Sequence, residues 1–402
     1  MVGLLSRRRK AMSLQNRRGL TKVEWLALFA CIGIVMMLLF PAIDTGGIRT
    51  ARRNQCATQI NNLSKAALMH DILKGHLPGY LNDFGSYVGD SDPAEDPNAG
   101  FSYRSGDKKV GGWVIPLLPY LDAQPTYEIW TMQRYPLFAS KNGQTTYTSH
   151  AAPNLVCLQC PSSPTLAGDL GRNSYIANTG MHHLTASGQP IAIVRAKTDD
   201  ADVTSYTVTF ADSMQVAGGA MNHQYAGATD AIDYPVGPRV KLEDFKDGMG
   251  NTALFSESLH AIPWHQLDPD PMVSIRMLQP VVPGEQVAYP KLSRFVHGMV
   301  WLYEDPEGAG GAPQPPAYRT QVINSSPDAQ DIYSIKMNRD NAVELARPSS
   351  AHSEGCHFGF ADGSSRFISE TIDYRVYQAL LTPHGKKSLV PDPSYVLVGE
   401  AL

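Results

Sequence analysis

Val23-Glu24-Trp25-Leu26-Ala27-Leu28-Phe29-Ala30-Cys31-Ile32-Gly33-Ile34-Val35-Met36-Met37-Leu38-Leu39-Phe40-Pro41-Ala42-Ile43 is a run of 21 residues with one charge, Glu24. A helix rises about 1.5 Å per residue, enough here for the hydrocarbon core of a bilayer. The run therefore predicts a transmembrane helix over 23–43. A carboxylate near one end costs roughly 2–3 kcal/mol or less to insert, so Glu24 calls for a partner or a function. Arg7, Arg8, Arg9, Lys10, Arg17, Arg18 and Lys22 crowd the first 22 residues, with no acidic residue among them. The positive-inside rule predicts that this end is cytoplasmic. The expected protein is a single-pass inner-membrane protein whose remaining chain is extracytoplasmic, in the periplasm or at the cell surface. An ordinary secretory signal would have a shorter apolar core and a small-residue cleavage site. Leu38-Leu39-Phe40-Pro41-Ala42-Ile43 offers no such site.

Arg17-Arg18-Gly19-Leu20-Thr21-Lys22-Val23-Glu24, followed by an apolar helix carrying Pro41, resembles the N-terminus of the prepilin family. These are the subunits of type IV pili and of type II secretion pseudopili. The resemblance implies cleavage between Gly19 and Leu20 by a prepilin peptidase, with methylation of the new N-terminus at Leu20. It also implies that Glu24 pairs with the N-terminal amine of a neighbouring subunit during assembly. The peptidase, other pilin-like subunits and the membrane are the implied partners.

The chain has 402 residues, and removal of a leader over 1–19 leaves 383. That length allows one enlarged domain or two small ones. An apolar content of 43% supports a sizeable core. The formal charge is −4, and loss of the leader's six positive charges brings it near −10. An acidic exterior argues against nucleic acid as a partner. The 34 Gly and 29 Pro suit a body rich in loops and strands.

Cys31 lies within the apolar run, and Cys56, Cys157, Cys160 and Cys356 lie beyond it. Outside a reducing compartment these four can form at least one structural disulfide. Cys157-Leu158-Gln159-Cys160 also has zinc or redox spacing. A structural zinc site needs four ligands, and a thioredoxin-like reading lacks the flanking strand and helix.

Cys56, Ile60, Leu63 and Ala67 recur on one helical face, and Gly75 and Pro78 stop that helix. The expectation is one long N-terminal helix over 20–74, its second half packed on a body over 75–402. Gly79 to Gly112 reads as loop. Trp113 to Trp130 returns to apolar character. Val203 to Phe210, Asn251 to Ser256 and Phe295 to Tyr303 read as strands, and Glu304 to Pro316 as loop.

Near the C-terminus, His352 is followed by nine residues and then Asp362-Gly363. Cys356, Phe358 and Phe360 alternate with His357, Gly359 and Ala361. Asp362-Gly363 suits a type I′ hairpin turn with positive φ at both centres. From Asp373 onward the pattern is helical, with Val376, Ala379 and Leu380 on one face. The signature over 352–363 resembles the His-nine-residues-Asp-Gly domain of a large prepilin-like bacterial family of unknown function. Gln55-Cys56, Asn61 to Lys65, Leu118-Pro119-Tyr120-Leu121, Cys160-Pro161-Ser162, Asn173-Ser174-Tyr175, Asp247-Gly248 and Glu257 fit the same family. Because Cys160 recurs with Cys56 in that family, and Cys56 faces the packed side of its helix, a Cys56–Cys160 disulfide is expected. The segments 185–241 and 261–347 read as variable insertions.

No nucleophile motif accompanies His352 and Asp362, so they are read as structural supports of the hairpin, with His352 bonded to nearby backbone. His182-His183 with His352 and His357 could make a metal pair, but scattered loop histidines are commonly plain polar surface. The sequence therefore predicts an α+β protein with a long transmembrane N-terminal helix on an antiparallel sheet, no catalytic residues, no metal and no cofactor. The expected role is a pilin-like or pseudopilin-like structural subunit of a type II secretion or type IV pilus-like assembly. The alternative is a membrane-anchored binding domain, exported by the prepilin route, whose 18 Tyr and 5 Trp would suit polysaccharide.

Overall fold

The computed structural model describes residues 21–39, 45–87, 107–132, 136–139, 145–164, 167–183, 192–196, 203–225, 236–279, 292–303, 323–325, 331–391 and 397. The chain divides into two compact units, Met1–Ala51 and Arg52–Leu402.

The first unit contains α1 (Lys22–Leu39), a helix of 18 residues. Thr21 starts it with a capping box. The Glu24 carboxylate accepts from the Thr21 N–H at 2.7 Å and from its hydroxyl at 3.0 Å, while the Glu24 N–H donates to Thr21 Oγ1 at 3.4 Å. These bonds satisfy amides that a helix start leaves open. The Thr21 backbone N–H, and then its hydroxyl, hold the Glu24 carboxyl below the usual carboxylate range.

Two sequence expectations are overturned here. Among the described residues, no helix is long and apolar enough to cross a membrane. Eighteen residues rise about 27 Å, short of a hydrocarbon core of about 30 Å. Lys22 and Glu24 also occupy the first turn, which shortens the apolar part further. The transmembrane helix over 23–43, and the single-pass inner-membrane placement built on it, are therefore corrected. Pro41 and the rest of 40–44 lie outside the described residues, as do the expected processing positions Gly19 and Leu20.

The helix α2 (Thr45–Lys74) leads into the second unit. Cys56, Ile60, Leu63 and Ala67 are all fully buried. Gly75, whose N–H donates to Asp71 O at 2.7 Å, ends it. There follow β1 (Leu81–Ser86), β2 (Lys108–Gly112), α3 (Val114–Leu117), α4 (Gln124–Thr131), β3 (Leu137–Ala139) and β4 (Thr145–Tyr147). Next come β5 (Tyr175–Met181), β6 (Ala192–Ala196), β7 (Val203–Thr207), α5 (Phe210–Ser213), β8 (His223–Gln224) and β9 (Ala253–Glu257). The chain continues with α6 (Pro271–Arg276), α7 (Ser293–Val296), β10 (Gly298–Trp301), β11 (Gly355–Phe360), β12 (Ser365–Ser369) and α8 (Tyr374–Leu381).

The central sheet has the order β10-β5-β9-β11-β12. β5, β9 and β11 are buried along their whole length, as strands covered on both faces must be. Alternation assigns the faces. Tyr175 and Ala177 join the core around Ile60 and Leu63, whereas Ile176 joins the core around Phe358, Tyr377 and Leu380. So α2 covers one face and α8 the other. Gly359 is required beneath α2, because a Cβ there would collide with Ser64 Oγ and come within 3.1 Å of Ile60 O. On the other face, Tyr377 Oη donates to Val300 O at 3.1 Å and Gln378 Nε2 to Leu302 O at 2.9 Å. A second sheet has the order β2-β1-β8, and β3-β4 and β6-β7 are isolated pairs.

The architecture is α+β, but the sheet is not purely antiparallel. β10 runs parallel to β5, and β8 parallel to β1. The predicted loop over 79–112 contains β1 and β2, and their sequence gave little warning. Leu81-Asn82-Asp83-Phe84-Gly85-Ser86 has no clean alternation, and pairing with β2 and β8 overrides its weak propensity. The strand expected over 295–303 is the short α7 followed by the four residues of β10.

The hairpin turn between β11 and β12 also differs from expectation. Gly363 has φ of 82°, but Asp362 is not among the residues with positive φ. The Gly363 N–H donates to Phe360 O at 3.0 Å, and the Phe360 N–H donates to Ser364 O at 2.9 Å. The loop is thus Ala361-Asp362-Gly363, a three-residue turn with glycine in the left-handed position, rather than type I′.

Candidate functional site

The end of β9 places Glu257 where three other segments converge. Cys56 arrives from α2, Cys160 from the loop before β5, and His352 from the turn before β11. Cys56, Cys160, Glu257 and His352 are all buried, and one ligand-type atom from each lies within 4.8 Å of all the others. Among the described residues this is the one such group of three or more His, Cys, Asp or Glu side chains.

Cys56 and Cys160 form a disulfide with a Cα–Cα distance of 5.2 Å and a sequence separation of 104. The bridge ties α2 to the loop ahead of β5. That loop is set by the Cys160 N–H, which donates to Ser174 Oγ at 3.0 Å, and by the Ser174 N–H, which donates to Leu158 O at 2.8 Å. Cys31, Cys157 and Cys356 are free.

Glu257 has two oxygens with different neighbours. Oε2 accepts from the His357 backbone N–H at 2.9 Å. Oε1 is 3.2 Å from His352 Nε2 and 3.4 Å from Cys160 Sγ. His352 Nε2 is 3.9 Å from the same sulfur. The His352 backbone N–H donates to Ser350 Oγ at 3.1 Å, which fixes the turn that carries the ring. A buried carboxylate needs a donor or a cation, and His352 supplies it.

The neighbouring groups register this buried acid. Burial first, and then the Glu257 charge, push the Tyr175 hydroxyl and the Cys356 thiol well above their ordinary values. Burial lowers His357 to about 4 against the opposing pull of Glu257. Tyr175 Oη donates to Gln59 Oε1 at 2.6 Å, so α2 is held to β5 right beside the site. The His357 ring stands edge-on to His352 at 5.6 Å and to Phe367 at 5.1 Å, and Arg53 lies over Phe367 at 3.6 Å.

His352 and Asp362 serve different places. His352 turns into the cysteine–glutamate cluster. Asp362 stays at the hairpin, where Oδ1 accepts from the Ser364 N–H at 2.9 Å. Gly363 O accepts from Asn61 Nδ2 of α2, so the turn is anchored to the helix. Glu24 lies in α1, engaged with Thr21. His182 and His183 pack on each other and on Phe295 and Phe210, and they share no ligand-type group with His352.

Glu257 is the residue that sequence reasoning passed over as a site member. Its signal was present. In Ala253-Leu254-Phe255-Ser256-Glu257 a carboxylate ends a strand buried at every position, and a charge in that setting needs a partner.

A family model described as "Protein of unknown function (DUF1559)" matches residues 48–375, and the chain belongs to that family. The match includes Cys56, Cys160, Glu257, His352, Asp362 and Gly363. It describes neither the prepilin motif nor the His-nine-residues-Asp-Gly domain. No curated protein and no solved structure matches the chain.

Proposed function

We propose that this chain is a structural subunit of a pilus-like or pseudopilus-like assembly, held to its neighbours by packed α1 helices. The observation that carries the reading is the exposure of α1. Val23, Leu26, Phe29 and Met37 are 63–79% exposed, and Trp25, Ile32, Ile34 and Val35 are also exposed on other sides. A helix that is apolar all round is stable only when something covers it. Identical helices from other copies supply such a cover and repeat without limit. The resemblance of Gly19, Leu20 and Glu24 to the prepilin pattern supports the same reading, with a prepilin peptidase cutting after Gly19. The buried body supports a structural role too, since burial raises the Cys157 and Cys356 thiols rather than activating them.

The test is shearing and pelleting of filaments from cells that express the chain. Wild type should pellet with a processed N-terminus at Leu20. Leu26→Ser with Phe29→Ser should leave the protein folded but in the supernatant. Recovery of wild type only as a monomer, with Met1 intact in a host that has the peptidase, overturns the proposal.

A further inference from the structure

We infer that Cys56, Cys160, Glu257 and His352 form a four-ligand site for a zinc-class divalent cation when the cysteines are reduced, so that one buried pocket holds either a disulfide or a metal.

Two bridged sulfurs have no proton to donate and require no polar company. Yet a carboxylate oxygen and an imidazole nitrogen, both buried, converge on Cys160 Sγ at 3.4 and 3.9 Å. Two cysteines, a histidine and a carboxylate are donors that zinc accepts in tetrahedral geometry.

With metal–ligand distances near 2.0–2.3 Å, a tetrahedral site has an N···O edge of about 3.4 Å, and S···O and S···N edges of about 3.6 Å. The observed values are 3.2 Å for His352 Nε2 to Glu257 Oε1, 3.4 Å for Cys160 Sγ to Glu257 Oε1, and 3.9 Å for Cys160 Sγ to His352 Nε2. Three edges of the tetrahedron are thus preformed to within about 0.3 Å. The Cys56 sulfur lies within 4.8 Å of the other three ligand atoms. The sulfur pair has to open to about 3.8 Å, with Cys56 Sγ settling about 3.6 Å from the oxygen and the nitrogen.

The surroundings fit the same use. The carboxylate is aimed by its other oxygen, which accepts from the His357 N–H at 2.9 Å, an outer contact of the sort that orients metal ligands. The four ligands come from four separate segments, so a bound ion ties α2, the loop before β5, the end of β9 and the turn before β11 together. The disulfide ties only the first two.

The exchange balances. A dithiol reductant gives two electrons and two protons to the Cys56–Cys160 bond and becomes a disulfide itself. The cation then displaces both thiol protons to solvent as two metal–thiolate bonds form. The site charge changes from one buried carboxylate to two thiolates and a carboxylate around a doubly charged ion. Cys157 and Cys356 stay outside it, and Cys356 Sγ is engaged with Ser256 Oγ at 3.4 Å.

The experiment uses the full chain, oxidised or reduced with dithiothreitol and then desalted without air, and titrated with Co²⁺ and Zn²⁺. The reduced chain should take up one equivalent of Co²⁺, with thiolate-to-cobalt absorption in the near ultraviolet and tetrahedral visible bands. Zinc should bleach both, and should slow alkylation of Cys56 and Cys160 at least 10-fold relative to Cys157. The oxidised chain should bind none. Glu257→Gln and His352→Ala should each weaken binding at least 10-fold, whereas Cys157→Ser and Cys356→Ser should leave it unchanged. Circular dichroism of each oxidised variant checks its fold. A reduced, folded chain that takes up no metal overturns the inference. So does uptake that is equal in the oxidised chain, or a reduced chain that unfolds and is not restored by zinc.

Discussion

In α1, Leu26 and Phe29 stand largely in the open, whereas in α2 the side chains of Cys56, Ile60, Leu63 and Ala67 are 0% exposed. The more apolar helix is the uncovered one. α2 carries Arg52, Arg53, Gln55, Asn61, Asn62 and Lys65, yet it forms the spine of the body. A single stripe at the right period is enough for burial, because the sheet has only one face to offer it. Apolarity on every side cannot be satisfied by a single neighbour, and the side chains of α1 from Val23 to Met37 stand exposed.

The strongest test of this contrast is the same truncation in both helices. Leu63→Ala should destabilise the body by about 2–5 kcal/mol, through lost transfer energy and an unfilled cavity. Leu26→Ala should change the unfolding free energy of the body, read by urea titration, by no more than about 0.5 kcal/mol. Equal effects at the two sites would dissolve the distinction between them.

A cysteine comparison follows at similar or smaller size. Cys56→Ala opens a loop of 104 residues and should cost about 2–5 kcal/mol. Cys31→Ala, in α1, should cost nothing measurable in the body. Thermal unfolding with and without reductant checks both, since reductant should affect wild type and leave Cys56→Ala unmoved.

Acid should separate the body from α1 next. Burial lowers His297 to about 4 and His265 to about 3, against about 6.5 in the unfolded chain. A lowered basic group means that the unfolded state binds more protons, so stability falls as pH falls from about 6.5 toward 4. Each of these two should remove roughly 1.4 kcal/mol per pH unit within that window. Asp71 and Asp268, whose carboxyls burial raises, act in the opposite direction at the acid end. α1 has no histidine, and its Glu24 carboxyl lies below the ordinary range. Urea titrations at pH 7.5 and 5 should show the body losing stability; a flat profile would mean that these histidines are solvated.

A smaller effect belongs to the turn that α2 covers. Gly363→Val should cost about 1–3 kcal/mol, because a β-branched residue resists φ of 82° and Leu68 lies 3.1 Å from the added carbon. Gly33→Ala in α1, where nothing lies within 4 Å of the added carbon, should be neutral or slightly stabilising in the first unit.

These contrasts also show what could be read in advance. The buried stripe of α2 and the helix after Asp373 were legible, since period and stop signals are local. The apolar run of α1 is legible as a helix, but apolarity alone does not make a span, since Lys22 and Glu24 sit in the first turn of an 18-residue helix. β1 was hidden because its pairing with β2 and β8 is long-range and its residues are poor strand formers. The turn type was missed because Asp-Gly fits both a two-residue loop and the end of a three-residue one. The site was half legible. Its cysteines and His352 stood out by motif, but their meeting with Glu257 depends on a sheet order that places β9 beside β11, which no local pattern encodes.

The smallest predicted effect lies at the start of α1 and sharpens the comparison most finely. α2 is fixed by what it packs against, whereas the first turn of α1 is closed by the Thr21–Glu24 box and by the Trp25 N–H, which donates to Thr21 O at 3.1 Å. Glu24→Ala removes both bonds that the carboxylate accepts and should speed amide exchange in that turn. Glu24→Gln keeps an oxygen that can accept both, so it should leave amide exchange nearer that of wild type. Amide exchange at Val23 to Leu26 reads this directly, with the melting temperature of the body unchanged in either variant. The same pair separates two uses of the residue. If the charge itself pairs with another chain's amine, Glu24→Gln should lose assembly while retaining amide protection. If only the cap matters, Glu24→Gln should assemble normally and Glu24→Ala should not. Equal protection in wild type and Glu24→Ala would mean that the box does not set the helix start.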